Sequence, residues 1–233
     1  MIKAVVFDVD DTLYDLSTPF KEACREVFPE DTGLDMEGAF LASRRYSDSV
    51  YASSLSGKIS MEEMYIYRFE NAFRDYGKKI DARTALMFQE VYEQKQQEIK
   101  MTESMKNLLE NLSGKMKLGI VTNGPTQHQW DKVNALGVEQ WISKEHILIS
   151  GEIGIAKPDA EIFEAELGRL GLQKEDVCYV GDSFDNDIAG AKGAGWKAVW
   201  YNHRGHEATG DVTPDYIVRS EEELITLLEN ENL

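Results

Sequence analysis

Five short apolar runs punctuate the chain: residues 3–8 (KAVVFD), 117–121 (KLGIV), 146–149 (HILI), 177–180 (VCYV) and 197–201 (KAVWY), with a weaker sixth at 216–218. They are continuous rather than alternating, and β-branched residues are frequent. That is the pattern of parallel strands covered on both faces. Helix-length segments separate most of them, so the chain reads strand–helix–strand. The expected fold class is α/β, a doubly wound parallel sheet.

Start and stop signals bracket the helices. Thr102 caps a segment of about 103–112, and Thr126 opens one that ends before Gly137. Pro158 fits the first helical position of a segment ending near Gly171. Ser220 and Glu223 form a capping box for the last helix. Residues 202–215, with Gly205, Gly210 and Pro214, read as a loop.

The alternation breaks over residues 16–100, where no strand pattern occurs. Ser60 and Glu63 form another capping box. Met64, Tyr65, Arg68, Phe69, Ala72, Phe73 and Tyr76 follow at helical spacing, and Gly77 ends the run. Further helices are expected at about 17–27, 36–54 and 82–97. The aromatic stripe reads as this segment's own core rather than a cofactor box. The organisation is thus a sheet domain of residues 1–15 and 101–233, with an all-helical insertion of residues 16–100 after the first strand.

Composition narrows the class. The 233 residues are 42% hydrophobic, enough for an ordinary core, and carry a net charge of −17. That field repels nucleic acid and anionic membrane surfaces as general partners, and solubility is the plainer reading of most of the charge. An anionic substrate then needs a local positive site. Cys24 and Cys178 have no metal-ligand spacing and read as free thiols of a reducing compartment. The apolar run at 4–7 is too short for a signal-peptide core, and no stretch approaches the ~18 apolar residues of a membrane span. A soluble, cytoplasmic protein is the expectation.

In an open parallel sheet, ligands bind beyond the carboxyl ends of the strands. The first strand delivers Asp8, Asp10, Asp11 and Thr12 there. The second delivers Thr122, Asn123 and Gly124. A loop after the third brings Lys157, and the fourth brings Gly181, Asp182 and Ser183, with Asn186 and Asp187 following. Each piece alone has a plain structural reading as a polar strand end, a Lys-Pro turn or a helix cap. Together they place carboxylates, a hydroxyl and a lysine on one sheet edge.

On these residues the chain resembles the haloacid dehalogenase-like hydrolases, in the branch of magnesium-dependent phosphatases with a helical cap after the first strand. The matching pieces are VVFDVDDTL, LGIVTNG, AKPD and VCYVGDSFDNDIAGAKGAG. A narrower similarity, to bacterial pyrimidine 5′-nucleotidases, is carried by GKISMEEMYIYRF and ISGEIGIAKPDAEIF.

The resemblance implies roles. Asp8 would be the nucleophile, giving an aspartyl-phosphate. Asp10 would be the general acid and then the base, with a pKa raised by its proximity to Asp8. Mg²⁺ would be held by Asp8, the backbone carbonyl of Asp10, and Asp182. Thr122, Asn123 and Lys157 would bind the phosphoryl group. Asp187 would orient Lys157 or a water, with Ser183 beside it. The charges balance if Asp10 is protonated while Lys157 and Mg²⁺ offset Asp8, Asp182 and Asp187. The substrate would be a small phosphomonoester, a nucleoside 5′-monophosphate or alternatively a sugar phosphate. In the cap, Arg44, Arg45, Lys58 and Arg68 are candidates for substrate contact, each also readable as an ordinary helix-face residue. Asp11 is given no chemistry, Trp130 is read as packing, and His128 and His203 as surface residues.

Other readings fit less well. A receiver domain would be about half this length and would have nothing essential after its lysine. An EF-hand loop starting at Asp8 would place Leu13 where glycine is needed and Pro19 where glutamate is needed. A phosphate-binding scaffold without activity would not need the full set of Asp8, Asp10, Thr122, Lys157 and Asp182. Within the family, an acid at position 10 speaks against dehalogenation of a carbon–halogen bond. A Schiff-base phosphonatase would need a cap lysine, with Lys58 as candidate by residue type alone. A phosphoglucomutase-like enzyme would transfer the phosphoryl group to a second sugar hydroxyl instead of water.

Overall fold

The order of the strands explains where the site lies. In the computed structural model, which describes residues 2–230, six strands form one parallel sheet in the order β3-β2-β1-β4-β5-β6. They are β1 (Ala4–Phe7), β2 (Lys117–Thr122), β3 (Ile147–Ile149), β4 (Val177–Gly181), β5 (Lys197–Tyr201) and β6 (Tyr216–Val218). The chain runs outward from β1 through β2 to β3, then returns to the other side of β1 at β4. The crevice at β1/β4 is therefore the topological switch point. Phe7 stands level with Ile120 of β2 and Val180 of β4, so the residues just beyond them share one edge.

Central strands β1 and β4 are buried at every position, as their unbroken apolar runs require. Helices cover the sheet: α5 (Glu103–Ser113), α6 (Thr126–Leu136), the short α7 (Ser150–Ile153), α8 (Ala160–Leu170), α9 (Ala189–Gly193) and α10 (Glu221–Glu229). Phe163 of α8 packs edge-on against Tyr179 of β4 and Trp196, with ring centroids 5.2 and 5.5 Å apart. Thr102 caps α5 by accepting from the Met105 amide at 3.0 Å, and Gly137 and Gly171 end α6 and α8 in the left-handed region.

Three local expectations need correction. Helix α8 starts at Ala160, so Pro158 lies ahead of it. Residues 156–159 instead form a turn, with the Asp159 amide donating to Ala156, and the Lys157–Pro158 peptide is cis. Ser220 does cap α10, but Glu223 reaches past it to accept from the Arg219 amide at 2.7 Å, so the box is not closed on Ser220. The loop between β3 and Lys157 also contains α7, too short to announce itself by periodicity.

By its contacts the chain divides into two compact units, residues 1–15 with 100–233, and residues 16–99. The second is helical: α1 (Thr18–Val27), α2 (Met36–Leu55), α3 (Met61–Asp75) and α4 (Ala82–Gln96). Its core centres on Phe20, which packs on Phe40, Phe73 and Phe88 at 5.7, 5.7 and 5.0 Å. The α3 stripe supplies Phe69 and Phe73 to this core, and Met64 and Ala72 of the same stripe are buried as well. The Ser60–Glu63 capping box is complete, both bonds being formed. Cys24 and Cys178 are both free and buried. Among the described residues, no helix is long and apolar enough to cross a membrane.

Candidate active site

Four chain segments meet at the carboxyl ends of β1, β2 and β4. Asp8 follows β1 directly, and its amide donates to Val180 of β4 at 2.9 Å. The loops after β2 and β3 are joined: Ser150 accepts from the Gly124 amide at 3.0 Å, and the Gly151 amide donates to Gly124 at 3.2 Å. A side chain on Gly151 would collide with this backbone. Asn123 then clasps the main chain of Lys157 from both sides, each bond 2.9 Å. The predicted phosphate-binding Asn123 thus spends its side chain on holding Lys157 in place. Thr122, at the end of β2, is buried.

Lys157 is 5% exposed. Its Nζ lies 2.6 Å from Asp8 Oδ1, 2.6 Å from Asp187 Oδ1 and 2.8 Å from the Tyr179 hydroxyl. Tyr179 lies 2.8 Å from the Val121 carbonyl, to which it can donate. The other oxygen of Asp187 accepts from the Ser183 amide at 2.9 Å. Asp187 sits on the turn Phe184–Ile188, which is wound one residue wider than an α-helix. Its carboxyl lies over Gly181, and any Cβ there would overlap it. The Asp182 carbonyl accepts from Trp200 Nε1 at 2.8 Å.

Oxygens of Asp8, Asp182 and Asp187 all lie within 4.8 Å of one another. Burial pushes the Asp8 and Asp182 carboxyls well above the ordinary range; Lys157 opposes this and Asp187 adds to it. Once ionised, the three carboxylates facing one ammonium leave two negative charges over. That is the charge of one divalent cation, and an all-oxygen donor set suits a hard one. The residues therefore fit a metal of the Mg²⁺ class.

Asp10 differs from the expectation. Lys132 of α6 approaches both of its oxygens, at 2.7 and 2.6 Å. The Tyr14 hydroxyl donates to it at 2.6 Å and Gln129 at 3.2 Å. Burial alone would raise the Asp10 carboxyl, but Lys132, Tyr14 and Gln129 hold it below the ordinary value. The raised pKa expected for Asp10 is therefore corrected: the ion pair with Lys132 favours the ionised carboxylate in the free protein. Gln129 and Lys132 lack any motif. The signal for them is positional: 129, 132, 133 and 136 are the i, i+3, i+4, i+7 stripe of α6, and two of these four inward positions are polar. Tyr179 reads in the sequence as strand core, with no sign of its hydroxyl's role.

His203 also needs correction, and Asp11 has a structural partner in the turn. Asp11 is buried, in the left-handed region at φ 61°. Arg204 grips its carboxylate through Nε and Nη2, the latter at 2.6 Å from Oδ1, and Nη2 also reaches Asp15 at 2.6 Å. His203 Nε2 lies 3.0 Å from the Asp11 carbonyl, so it is part of this turn rather than a free surface residue. Trp130 donates to Glu152 at 2.6 Å and packs under Lys144.

In the helical unit, Arg44, Arg45 and Lys58 are exposed. Arg68 is buried instead: it donates to Gln89 and its guanidinium lies 4.3 Å from the Phe69 ring centroid. Its Nε has no partner among the described residues.

The sheet, its switch point and a buried lysine between carboxylates define an α/β fold with an acidic, lysine-centred site at the strand ends. The family model for haloacid dehalogenase-like hydrolases matches residues 2–195. The chain belongs to that family, as an enzyme of its phosphatase branch. It is 30% identical to glyceraldehyde 3-phosphate phosphatase of Methanocaldococcus jannaschii, over 99% of this chain and 98% of that one. It is 27% identical to N-acylneuraminate-9-phosphatase of Rattus norvegicus, over 98% and 94% of the two chains. The crystal structure of YfnB from Bacillus subtilis bound to magnesium superposes with a TM-score of 0.69 at 25% identity, covering 100% of this chain and 99% of that one.

Proposed function

We propose that the chain hydrolyses the phosphomonoester of a small sugar or sugar acid through an aspartyl-phosphate on Asp8. The observation that carries this reading is the buried Lys157 held between Asp8 and Asp187, with Asp182 alongside. Relatives that act on a phosphorylated triose and a phosphorylated sugar acid support a sugar-phosphate substrate over a nucleotide.

In this reading Asp8 Oδ attacks phosphorus in line, and the P–O bond to the leaving alkoxide breaks as the new one forms. Lys157 holds Asp8 in place and offsets charge on the phosphoryl oxygens, with Thr122 and the neighbouring amide as further donors. A phosphomonoester arriving as its monoanion brings one proton, which passes to the ionised Asp10; Asp10 then gives it to the leaving oxygen and, as the carboxylate again, takes one from the water that attacks the aspartyl-phosphate. Its ionised state against Lys132 is the form the second step uses. Asp8, the Asp10 carbonyl and Asp182 would hold Mg²⁺, while both Asp187 oxygens are already engaged by Lys157, Tyr179 and the Ser183 amide. When bound, the ion would cancel the two excess negative charges and let an anionic phosphate approach. The helical unit, with Arg44, Arg45, Lys58 and Arg68, is proposed as the part that selects the leaving group.

The test is phosphate release from a panel of sugar phosphates, triose phosphates and nucleoside monophosphates in Mg²⁺. Release from sugar esters above nucleotides, abolished by excess EDTA, is expected. Undiminished turnover of p-nitrophenyl phosphate in EDTA would contradict the metal assignment. A sugar 1-phosphate converted to its 6-phosphate without net release would mark a mutase.

A further inference from the structure

Lys132 is 5% exposed on a helix that has ample solvent-facing surface. A lysine normally keeps its ammonium in water. Replacing a buried ion pair by apolar residues is often neutral for stability, so stability alone does not explain a lysine in the inward stripe of α6. What distinguishes the position is its target, since Nζ meets both oxygens of Asp10. Gln129, one turn earlier, completes the hold. Its Nε2 lies 3.2 Å from Asp10 Oδ2 and 2.9 Å from the Asn123 carbonyl, at the exit of β2. The chain also leaves room for that amide: a Cβ on Gly124 would fall 2.6 Å from Gln129 Nε2.

We propose that Lys132, with Gln129, is a positioning residue that fixes the side chain of Asp10 relative to the leaving group. This rests on the acid role given to Asp10 above. A carboxylate on two rotatable bonds samples several rotamers, and proton transfer demands one of them. Two donors from α6 and one from Tyr14 restrict that freedom before substrate arrives.

Esters with different leaving groups separate this role from a merely structural one. An alkyl phosphate needs a proton on its departing oxygen, whereas p-nitrophenolate leaves without one. The quantity to compare is kcat/KM, which covers events only up to leaving-group departure. In the Mg²⁺-loaded full chain, Lys132→Met should lower kcat/KM for glycerol phosphate, or the best alkyl ester of the panel, by on the order of tenfold to a hundredfold. The value for p-nitrophenyl phosphate should fall severalfold less, and Lys132→Arg should recover part of the alkyl activity. Equal losses on both esters, or no loss, would overturn the proposal. Should Lys132→Met not fold, Gln129→Leu and Gly124→Ala must show the same leaving-group bias, and its absence there is equally fatal. Asp10→Asn, measured in parallel, separates the two claims. If it shows the alkyl bias and the Lys132 and Gln129 variants do not, only the positioning role fails. If Asp10→Asn itself lacks the bias, the acid role fails and the positioning role with it.

Discussion

Lys157 and Asp8 stand 149 positions apart in the chain, yet Nζ lies 2.6 Å from Oδ1, with both side chains under 10% exposed. Asp187 shares the same ammonium at 2.6 Å. Removing one partner of a buried pair leaves an uncompensated charge, at a cost of about 3–5 kcal/mol. Lys157→Met is therefore expected to destabilise the metal-free protein by that order, measured by urea unfolding. Added Mg²⁺ should restore part of the loss, and phosphatase activity should fall at least about a hundredfold. Wild-type stability and turnover would mean that the pair is incidental.

The sheet and the strand-end residues were legible because their signals are local. A continuous apolar run marks a buried strand, and Asp8, Thr122 and Asp182 lie at the ends of such runs. Lys157 was legible through its Lys-Pro context, though not its clasp by Asn123, which is a contact between two loops. Gln129, Lys132, Tyr179 and Arg204 have no local signal. Their roles arise from which strands neighbour one another, and a single polar residue on a helix face or at a strand position carries no such information. For the same reason the sequence misleads about the state of Asp10: Asp8 is two residues away in sequence, whereas Lys132 is brought there by the fold.

A second expectation concerns pH and metal together. Burial pushes the Asp8 carboxyl up to about 7 and that of Asp182 up to about 9, from an ordinary 3.8. A folded-state pKa above the unfolded one contributes stability that is complete below the unfolded value and is lost as pH rises through the folded value. The metal-free protein should therefore lose Tm between about pH 6 and about pH 9. Mg²⁺, favouring the ionised carboxylates, should raise Tm more at the upper end than the lower. A metal-induced Tm gain that is flat or reversed over this range would contradict the assignment of these carboxylates to the cation site.

Glu166 offers an independent check, away from the catalytic residues. It is fully buried on α8, and neither carboxyl oxygen has a hydrogen-bond partner among the described residues. Burial pushes it up to about 8, only partly opposed by Arg169, while burial lowers the neighbouring His146, whose Nδ1 is 3.7 Å away. Both are thus uncharged near neutrality. In Mg²⁺-saturated protein, Glu166→Gln should match wild type near pH 6 and exceed it in Tm near pH 9, because glutamine has no proton to lose. A Tm difference independent of pH would show that Glu166 does not titrate in the folded state.

The most direct test of the central claim is chemical trapping of the nucleophile. The Mg²⁺-loaded protein would be acid-quenched during turnover of its best phosphomonoester and its peptides mapped by mass spectrometry. The account predicts a hydroxylamine-labile phosphoryl group on Asp8, with an Asp8→Asn chain that is neither labelled nor active. A phosphoryl group on another side chain, or an Asp8→Asn chain that still turns over substrate at the wild-type rate, would contradict it.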